Sequence, residues 1–297
     1  MSAKKRIFTG AGTAIITPFN SQGEIDYERY FELIEFQIKN NIDAIVVCGT
    51  TGEASTLTDD EHRKMIDVTV HKVNGRVKVI AGAGSNDTDY AIELSKHAQQ
   101  AGADAILHVT PYYNKTTQKG LLKHFCTIAD SVNVPIILYN VPSRTNLNIL
   151  PATYKELSKH PNIVATKEAS GNMKSIIQTR QLCGGDLDIY SGNDEDTVPI
   201  LSIGGIGVIS VLSNILPKET HDICKLFFEG KVKESAELHT KYIDLVDVLF
   251  CETSPIPIKT AMALMNLDSG SLRLPLCEME DKNKNLLIDV LKNHGLI

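Results

Sequence analysis

Short apolar runs alternate along the chain with longer segments in which apolar residues recur every three or four positions. The runs are four or five residues long and rich in β-branched side chains, which is typical of buried strands. They cover residues 13–17, 44–48, 77–81, 105–109, 136–139, 163–167, 187–191 and 207–211. Helical stripes such as Tyr30, Leu33 and Ile34 lie between them. The pattern therefore predicts a strand followed by a helix, eight times.

Because the strands are almost wholly apolar, both of their faces must be covered, as in parallel sheets flanked by helices. Such a sheet is either open or closed, and eight units favour an α/β fold of the (β/α)8 TIM-barrel type. The capping box from Thr58 to Glu61 marks one helix start, and residues 86–89 offer a cap for another. Beyond residue 217 the pattern becomes helical, over residues 217–229, 232–250, 256–265 and 280–293. We expect a barrel domain over residues 1–225 and a C-terminal helical domain over residues 226–297.

Composition narrows the class of protein. The 297 residues are 42% hydrophobic and 22% charged, with a net charge of −6, which argues against a nucleic-acid partner. No apolar stretch approaches the 18 residues of a membrane span. The basic run at residues 4–6 is followed by an apolar segment that glycines interrupt, unlike a signal peptide. Six scattered cysteines predict reduced thiols, so we expect a cytoplasmic protein.

Lys167 is the most informative residue for chemistry. It ends a predicted strand, and in a parallel barrel the reactive residues lie at the carboxyl ends of strands. Burial favours the neutral form of an amine, which attacks carbonyl groups to form a Schiff base. A salt bridge to Glu168, or a side chain that reaches solvent, would explain the same residue without catalysis.

Three neighbouring features favour the catalytic interpretation. Tyr139 ends the preceding strand, about 4.8 Å away in a paired sheet, where its phenol can move protons. Thr50 and Thr51 lie in a glycine-flanked turn that suits a small carboxylate, although they are equally explained as helix caps. Arg144 suits bidentate binding of a carboxylate, although it is also explained as a surface ion pair.

Dinucleotide and metal sites find no support in the sequence. Gly82 and Gly84 lack the third glycine of a dinucleotide fingerprint, and the glycines at 204–207 precede a strand, whereas a phosphate cradle follows one. The histidines and cysteines show no metal-ligand spacing. We therefore expect neither a metal nor an organic cofactor.

Taken together, these segments closely resemble the dihydrodipicolinate synthase family of pyruvate-dependent class I aldolases, in the N-acetylneuraminate lyase superfamily. The resemblance extends over essentially the whole chain and implies the barrel with a helical tail. The segments that carry it are residues 49–53 (GTTGE), 110–114 (TPYYN), 139–145 (YNVPSRT), 167–170 (KEAS), 191–194 (SGND) and 207–210 (GVIS).

The resemblance implies a lyase that condenses pyruvate with L-aspartate 4-semialdehyde to 4-hydroxy-tetrahydrodipicolinate, the first committed step of the diaminopimelate route to lysine. Lys167 would form the imine with pyruvate. The implied proton relay consists of Tyr139, Thr50 and Tyr113. The implied substrate-binding residues are Thr51 for the pyruvate carboxylate, Arg144 for the semialdehyde carboxylate, and Gly192 and the Ile209 backbone lining the pocket.

The same resemblance implies an oligomeric assembly, and the sequence departs from the family pattern at a regulatory cleft. The tyrosine matching Tyr113 reaches the neighbouring subunit's site in this family, which implies a dimer and commonly a homotetramer built from two dimers. His62, Asn86 and Tyr112 match the cleft of relatives that lysine inhibits. Asp59, however, stands where they carry histidine, and Tyr90 where they carry a glutamate that holds the inhibitor's amine. We therefore predict weak or no inhibition by lysine.

Two other functions remain open at this point. N-acetylneuraminate lyase or a keto-deoxy sugar acid aldolase would share the lysine and tyrosine but bind a polyol, against which Arg144 and the paired threonines argue. A non-catalytic pyruvate sensor is the second alternative, because a fold alone does not establish a function.

Overall fold

The chain forms a closed barrel of eight parallel strands in a computed structural model that describes residue 4 and residues 6–297. Each strand pairs with its sequence neighbours, and β1 closes the barrel against β8. The predicted TIM-barrel class is confirmed. The strands are β1 (Gly10–Ala14), β2 (Ala44–Val47), β3 (Lys78–Gly82), β4 (Ala105–Val109), β5 (Ile136–Asn140), β6 (Ile163–Glu168), β7 (Asp188–Ser191) and β8 (Gly207–Ser210).

Helices cover the outside of the barrel and continue beyond it. Those that follow β1 to β4 are α1 (Tyr27–Lys39), α2 (Asp59–Val73), α3 (Thr88–Ala101) and α4 (Gln118–Asp130). Those that follow β5 to β8 are α5 (Pro142–Thr145), α6 (Pro151–Leu157), α7 (Met173–Cys183), α8 (Thr197–Ser202) and α9 (Pro217–Phe228). The remaining four are α10 (Val232–Lys241), α11 (Ile243–Leu249), α12 (Ile256–Leu264) and α13 (Asp281–Asn293).

Two apolar layers hold the barrel together. Side chains that point inward, among them Ile80, Ile137 and Tyr190, fill its interior, while those that point outward pack under the helices. Parallel strands buried on both faces read as continuous apolar runs, which is why the sequence reveals most of them. The prediction for β4 matches the structure residue for residue.

The predicted first strand is displaced. The apolar pattern predicts it at residues 13–17, whereas β1 covers Gly10–Ala14. Glycine is required here because a Cβ on Gly10 would lie 2.1 Å from the Asp43 carboxylate, and one on Gly207 would lie 2.0 Å from the Gly10 carbonyl oxygen. A strand that begins with such close contacts lacks the apolar run on which the prediction depended.

The long helix predicted over residues 232–250 is two helices. The backbone leaves the helical region at Tyr242, between α10 and α11. Only Ser235 is buried in α10, whereas α11 buries Leu245, Val246, Val248 and Leu249. Because of this bend, the exposed helix α10 is followed directly by α11, which packs into the hydrophobic core. The predicted capping box of α2 is present, and Asp87 caps α3.

The C-terminal helices pack against the barrel. The predicted boundary between residues 225 and 226 lies inside α9, the helix that follows the last strand. The division into two domains stays a prediction. Lys5, in the basic run at residues 4–6, lies outside the described residues. Within the described part of the chain, no helix has the length and apolar character that crossing a bilayer requires.

Candidate active site

Lys167 lies in β6 and is 6% exposed. The strand register places it beside Tyr139 of β5 on one side and Tyr190 of β7 on the other. Its Nζ is 4.4 Å from the centroid of the Tyr139 ring. Among the described residues, its ammonium makes no hydrogen bond or ion pair. The side chain instead lines a cavity of about 310 Å³ at the carboxyl ends of the strands.

Glu168 does not pair with Lys167. Side chains alternate along a strand, so the Glu168 carboxylate points the other way and is 3% exposed. It accepts hydrogen bonds from Asn140 Nδ2 at 2.9 Å, Tyr154 Oη at 3.0 Å and the Ser170 backbone N–H at 3.1 Å. Burial raises the pKa of this carboxyl, and the hydrogen bonds oppose that rise. The salt-bridge interpretation of Lys167 is therefore wrong.

The cavity around Lys167 collects most of the predicted site residues, namely Thr50, Thr51, Tyr139, Arg144 and Gly192. Together with Lys167 they come from four different strands, β2, β5, β6 and β7, or from the loops that follow them, which agrees with the general placement of barrel active sites. Residues to which the sequence analysis assigns no individual role complete the wall. They are Val141, Ser143, Ala169, Asn193, Val211, Phe250, Glu252, Thr253 and Ser254.

The turn that carries Thr50 and Thr51 is held tightly. Thr51 is buried, whereas Thr50 is exposed toward the cavity mouth. The Thr17 hydroxyl donates to the Gly52 carbonyl at 2.7 Å, and the Glu53 backbone N–H donates to the Thr50 carbonyl at 3.1 Å. The threonines therefore present their hydroxyls and backbone from a fixed loop rather than capping α2, whose cap is Thr58.

Arg144 lies in α5, a single turn that begins with a proline. Its Nη2 donates to the Ser254 carbonyl at 2.9 Å, so the guanidinium is anchored by the segment that follows α11. This bond uses one of its five donors and leaves the others to a ligand. The alternative of a surface ion pair with an acidic residue is not what the described residues show.

Gly192 lies against the lysine stem. A Cβ at this position would lie 3.0 Å from Lys167 Cγ and 2.8 Å from the Ala169 Cβ. Glycine thus lets β6 and the loop after β7 approach closely, and it leaves the amine accessible from the cavity.

Two predicted site residues lie elsewhere within this chain. Tyr113 is 92% exposed, has a positive φ of 65°, and does not line the Lys167 cavity. Ile209 is fully buried in the barrel interior, and Val211, two residues further on, lines the cavity. The segment at residues 250–254 was not predicted, because it carries no recognisable motif. It lies more than 80 residues after Lys167 in the chain and reaches the cavity only through tertiary packing.

A second cavity of about 400 Å³ adjoins the first and shares Thr50, Tyr139, Val141 and Arg144 with it. His62, Tyr90 and Tyr112 line its far side. Tyr90 Oη donates to Asp59 Oδ1 at 2.8 Å, while Arg63 Nε donates to Asp59 Oδ2 at 2.8 Å. The bond with Arg63 lowers the pKa of Asp59. Burial, with the bond to Asp59, raises the pKa of Tyr90 to about 12.

Metal-binding and redox groups are dispersed. In the part of the chain that the structure describes, no three side chains of His, Cys, Asp or Glu converge as metal ligands. All six cysteines are free thiols.

A parallel barrel whose carboxyl-end cavity holds a buried lysine amine beside a phenol has the architecture of the Schiff-base-forming barrel enzymes. Comparison with known proteins defines the family. The family model described as the dihydrodipicolinate synthetase family matches residues 7–294. The chain belongs to this family, as predicted.

Similar proteins agree over the full length. A relative from Acetivibrio thermocellus named 4-hydroxy-tetrahydrodipicolinate synthase is 55% identical and covers 99% of this chain and 100% of its own. A Clostridium tetani relative of the same name is 56% identical over 98% of this chain and 99% of its own. A solved dihydrodipicolinate synthase from Thermotoga maritima is 42% identical, with a TM-score of 0.96, over 98% of this chain and 100% of that one. The predicted enzyme class, a lyase, is confirmed.

Proposed function

We propose that this chain is a 4-hydroxy-tetrahydrodipicolinate synthase, which condenses pyruvate with L-aspartate 4-semialdehyde in the biosynthesis of diaminopimelate and lysine. The observation that carries the proposal is the Lys167 ammonium, which is buried, makes no ion pair with the described residues and opens onto a cavity beside Tyr139. Family membership and relatives of that name over the whole chain support the same activity.

The proposed chemistry uses the neutral form of the Lys167 amine as the nucleophile. Lys167 Nζ attacks the keto carbon of pyruvate, and loss of water gives an imine. The imine withdraws electrons, so a methyl proton leaves and an enamine forms. The enamine carbon bonds to the aldehyde carbon of the semialdehyde, whose oxygen takes up a proton. Attack of the semialdehyde amino group on the imine carbon then closes the ring and releases Lys167.

Each step that adds or removes water or a proton needs a proton donor or acceptor nearby. We assign this work to Tyr139, Thr50 and Tyr113, with the ring of Tyr139 already against the Lys167 ammonium. Thr51 holds the pyruvate carboxylate from its buried turn, and Gly192 and the Ile209 backbone complete that part of the pocket. Arg144, anchored on Ser254, binds the semialdehyde carboxylate at the mouth.

The proposal includes a homodimer that completes the site, and a tetramer of two such dimers. The observation that supports it is Tyr113, an aromatic side chain 92% exposed at the tip of a loop. Mixing Tyr113→Phe with Lys167→Ala subunits should restore activity, since a mixed dimer has one site with both residues intact. A mixture in which both chains lack Lys167 is the control. Proven subunit exchange without recovered activity would contradict a shared site.

Activity assays separate the synthase from a sugar acid aldolase. We expect condensation of pyruvate with aspartate semialdehyde to exceed cleavage of N-acetylneuraminate and keto-deoxy sugar acids in kcat/KM by at least about 100-fold, a difference of roughly 2.7 kcal/mol. Faster cleavage of a sugar acid would reverse the assignment. Pyruvate binding without any turnover would support the sensor instead.

Weak feedback by lysine is part of the proposal. Asp59 is already occupied by Tyr90 and Arg63, so the second cavity offers a bound amine no unengaged carboxylate at this position. Wild-type turnover should stay unchanged in submillimolar lysine. Tyr90→Glu should gain lysine inhibition, because an ion-pair partner for the amine is added. Strong inhibition of the wild type would contradict this interpretation.

A cytoplasmic location is also proposed, and the six free cysteines support it because thiols persist in a reducing compartment. Fractionation of the native cells with a cytoplasmic marker tests it.

A further inference from the structure

A buried ion pair lies behind the threonine turn of the active site. Lys259 Nζ is 2.7 Å from Glu53 Oε1, and the two side chains are 0% and 1% exposed. Glu53 directly follows Thr50, Thr51 and Gly52 in the chain. Lys259 is the one charged residue of α12, whose sequence is otherwise apolar apart from Thr260. The pair thus joins the C-terminal helices to the turn.

The surrounding hydrogen bonds close a ring around the turn. Lys259 Nζ also donates to the Thr17 carbonyl at 2.9 Å, and the Thr17 hydroxyl donates to the Gly52 carbonyl at 2.7 Å. The second oxygen of Glu53 accepts the Arg273 backbone N–H at 3.1 Å. Every polar atom of the pair is therefore used, and each bond ends on the turn, on the segment after β1 or on the C-terminal region.

A contribution to folding stability does not by itself explain why this ion pair is buried. Burying two charges removes both from water, and apolar side chains of similar volume commonly stabilise a protein as well or better. The Glu53 backbone also has a φ of 52°, in the left-handed region that few residues other than glycine adopt. The turn thus combines an uncommon backbone conformation with a buried charge, and both are held by contacts from distant parts of the chain.

We infer that Lys259 and Glu53 are positioning residues, which fix the Thr50–Thr51 turn against the Lys167 cavity from behind. The inference rests on the roles proposed above for those two threonines. Displacement of a substrate-binding group by about 1 Å can reduce the rate about 100-fold, so rigid support from α12 has a direct kinetic consequence. Arg144, which is assigned to the other substrate, is anchored on the Ser254 carbonyl just before α12 and makes no bond to the ion pair, so its contribution should change much less.

Three variants of the full chain separate positioning from folding. Lys259→Met and Glu53→Gln each leave one charge without its partner, whereas the double variant removes both charges and keeps similar side-chain lengths. We expect the single variants to lower Tm and the double variant to regain most of that loss. In the double variant the KM for pyruvate should stay raised about tenfold and kcat lowered, while the KM for aspartate semialdehyde changes less than twofold.

A double variant with wild-type pyruvate KM and kcat would overturn the inference, since the pair would then serve folding alone. Glu53→Gln keeps the length of the side chain and an accepting oxygen, and it decides the question if the double variant does not fold. Measured below its own Tm, it should show a pyruvate KM raised about threefold, and an unchanged KM would contradict the inference equally.

Two controls complete the design. Met262→Leu alters a buried residue of α12 without removing a charge, and its kinetics should match those of the wild type. Thr51→Val tests the proposed carboxylate contact by itself and should raise the pyruvate KM. If Thr51→Val has no effect, the proposed role of the turn fails. If it has the expected effect and the ion-pair variants have none, only the positioning inference fails.

Discussion

Two lysines of this protein are buried to nearly the same degree and have opposite surroundings. Lys167 and Lys259 are 6% and 0% exposed, and each Nζ lies 4.4 Å from the centroid of an aromatic ring. Lys259 has a carboxylate and a carbonyl as partners. Lys167 has neither among the described residues, and a cavity lies before it.

Burial alone therefore does not identify a nucleophile. Burial lowers the pKa of Lys259, and the Glu53 carboxylate opposes that effect by favouring the charged form. An ammonium held in this way is not available as a nucleophile. The chemistry is assigned to the lysine that lacks a carboxylate and is accessible to a ligand, which is a distinction that only tertiary structure makes visible.

The largest expected effect comes from removing the amine itself. Lys167→Ala should lower kcat/KM by at least about 1,000-fold, because no other group supplies the covalent intermediate. Its Tm should stay the same or rise, since an unpaired buried ammonium is removed. Turnover and thermal unfolding measured on the same preparation check both halves. A Lys167→Ala variant with a lowered Tm and unchanged turnover would contradict the assignment of the chemistry to Lys167.

Lys259→Met should have its main effect on stability. Removing one partner of a buried pair leaves an uncompensated charge, which costs about 3–5 kcal/mol. Denaturant or thermal unfolding should therefore show a large loss that Lys167→Ala does not show. Unchanged stability would mean that the Glu53 carboxylate is accommodated without Lys259.

Tyr139→Phe places a phenylalanine ring beside Lys167, as Phe19 already does beside Lys259. The ring contact with the ammonium remains while the phenol is lost. Proton transfer by a positioned group contributes about 100- to 10,000-fold, so kcat should fall by at least about 100-fold. The fall should be much smaller if the phenol only packs against the lysine.

Gly192→Ala tests access to the amine. The added methyl would contact the Lys167 stem and Ala169, so the lysine or the loop must move. We expect kcat/KM to fall about tenfold with a smaller change in Tm. Gly185→Ala is the matched control, because it meets no atom within 4 Å and should retain full activity. Equal kinetics for the two variants would contradict the close approach.

The smallest effect is expected at the surface. Lys72 also combines a carboxylate, Glu35 at 3.1 Å, with an aromatic ring, Phe31 at 5.7 Å, but it is 34% exposed. Lys72→Met should change the free energy of unfolding by less than about 1 kcal/mol and leave turnover unchanged. It is the exposed counterpart of Lys259→Met. A loss similar to that of Lys259→Met would show that burial is not the deciding factor.

The part of the site formed by the barrel strands could be predicted from the sequence, because it depends on local apolar patterning. The runs in β5 and β6 place Tyr139 and Lys167 at strand ends, and the strand register pairs the two residues directly. Local apolar patterning suffices there because each strand is buried on both faces. The bounds of β1 could not be predicted in the same way. Its glycines are required by close contacts with Asp43 and β8, which are distant in the chain.

The C-terminal side of the site could not be predicted in this way. Ser254 and Glu252 reach the cavity, and Lys259 reaches Glu53, only through packing between segments about 100 to 200 residues apart. One local signal was present, a lone charge in the apolar sequence of α12. It indicates a buried partner but does not identify which carboxylate that partner is.

Reductive trapping tests the assignment of Lys167 most directly. The protein is incubated with pyruvate and borohydride, and its peptides are analysed by mass spectrometry. We expect one pyruvate-derived adduct, on the peptide that contains Lys167, and none on the peptide that contains Lys259. An adduct on Lys259, or no adduct under conditions of active turnover, would contradict it.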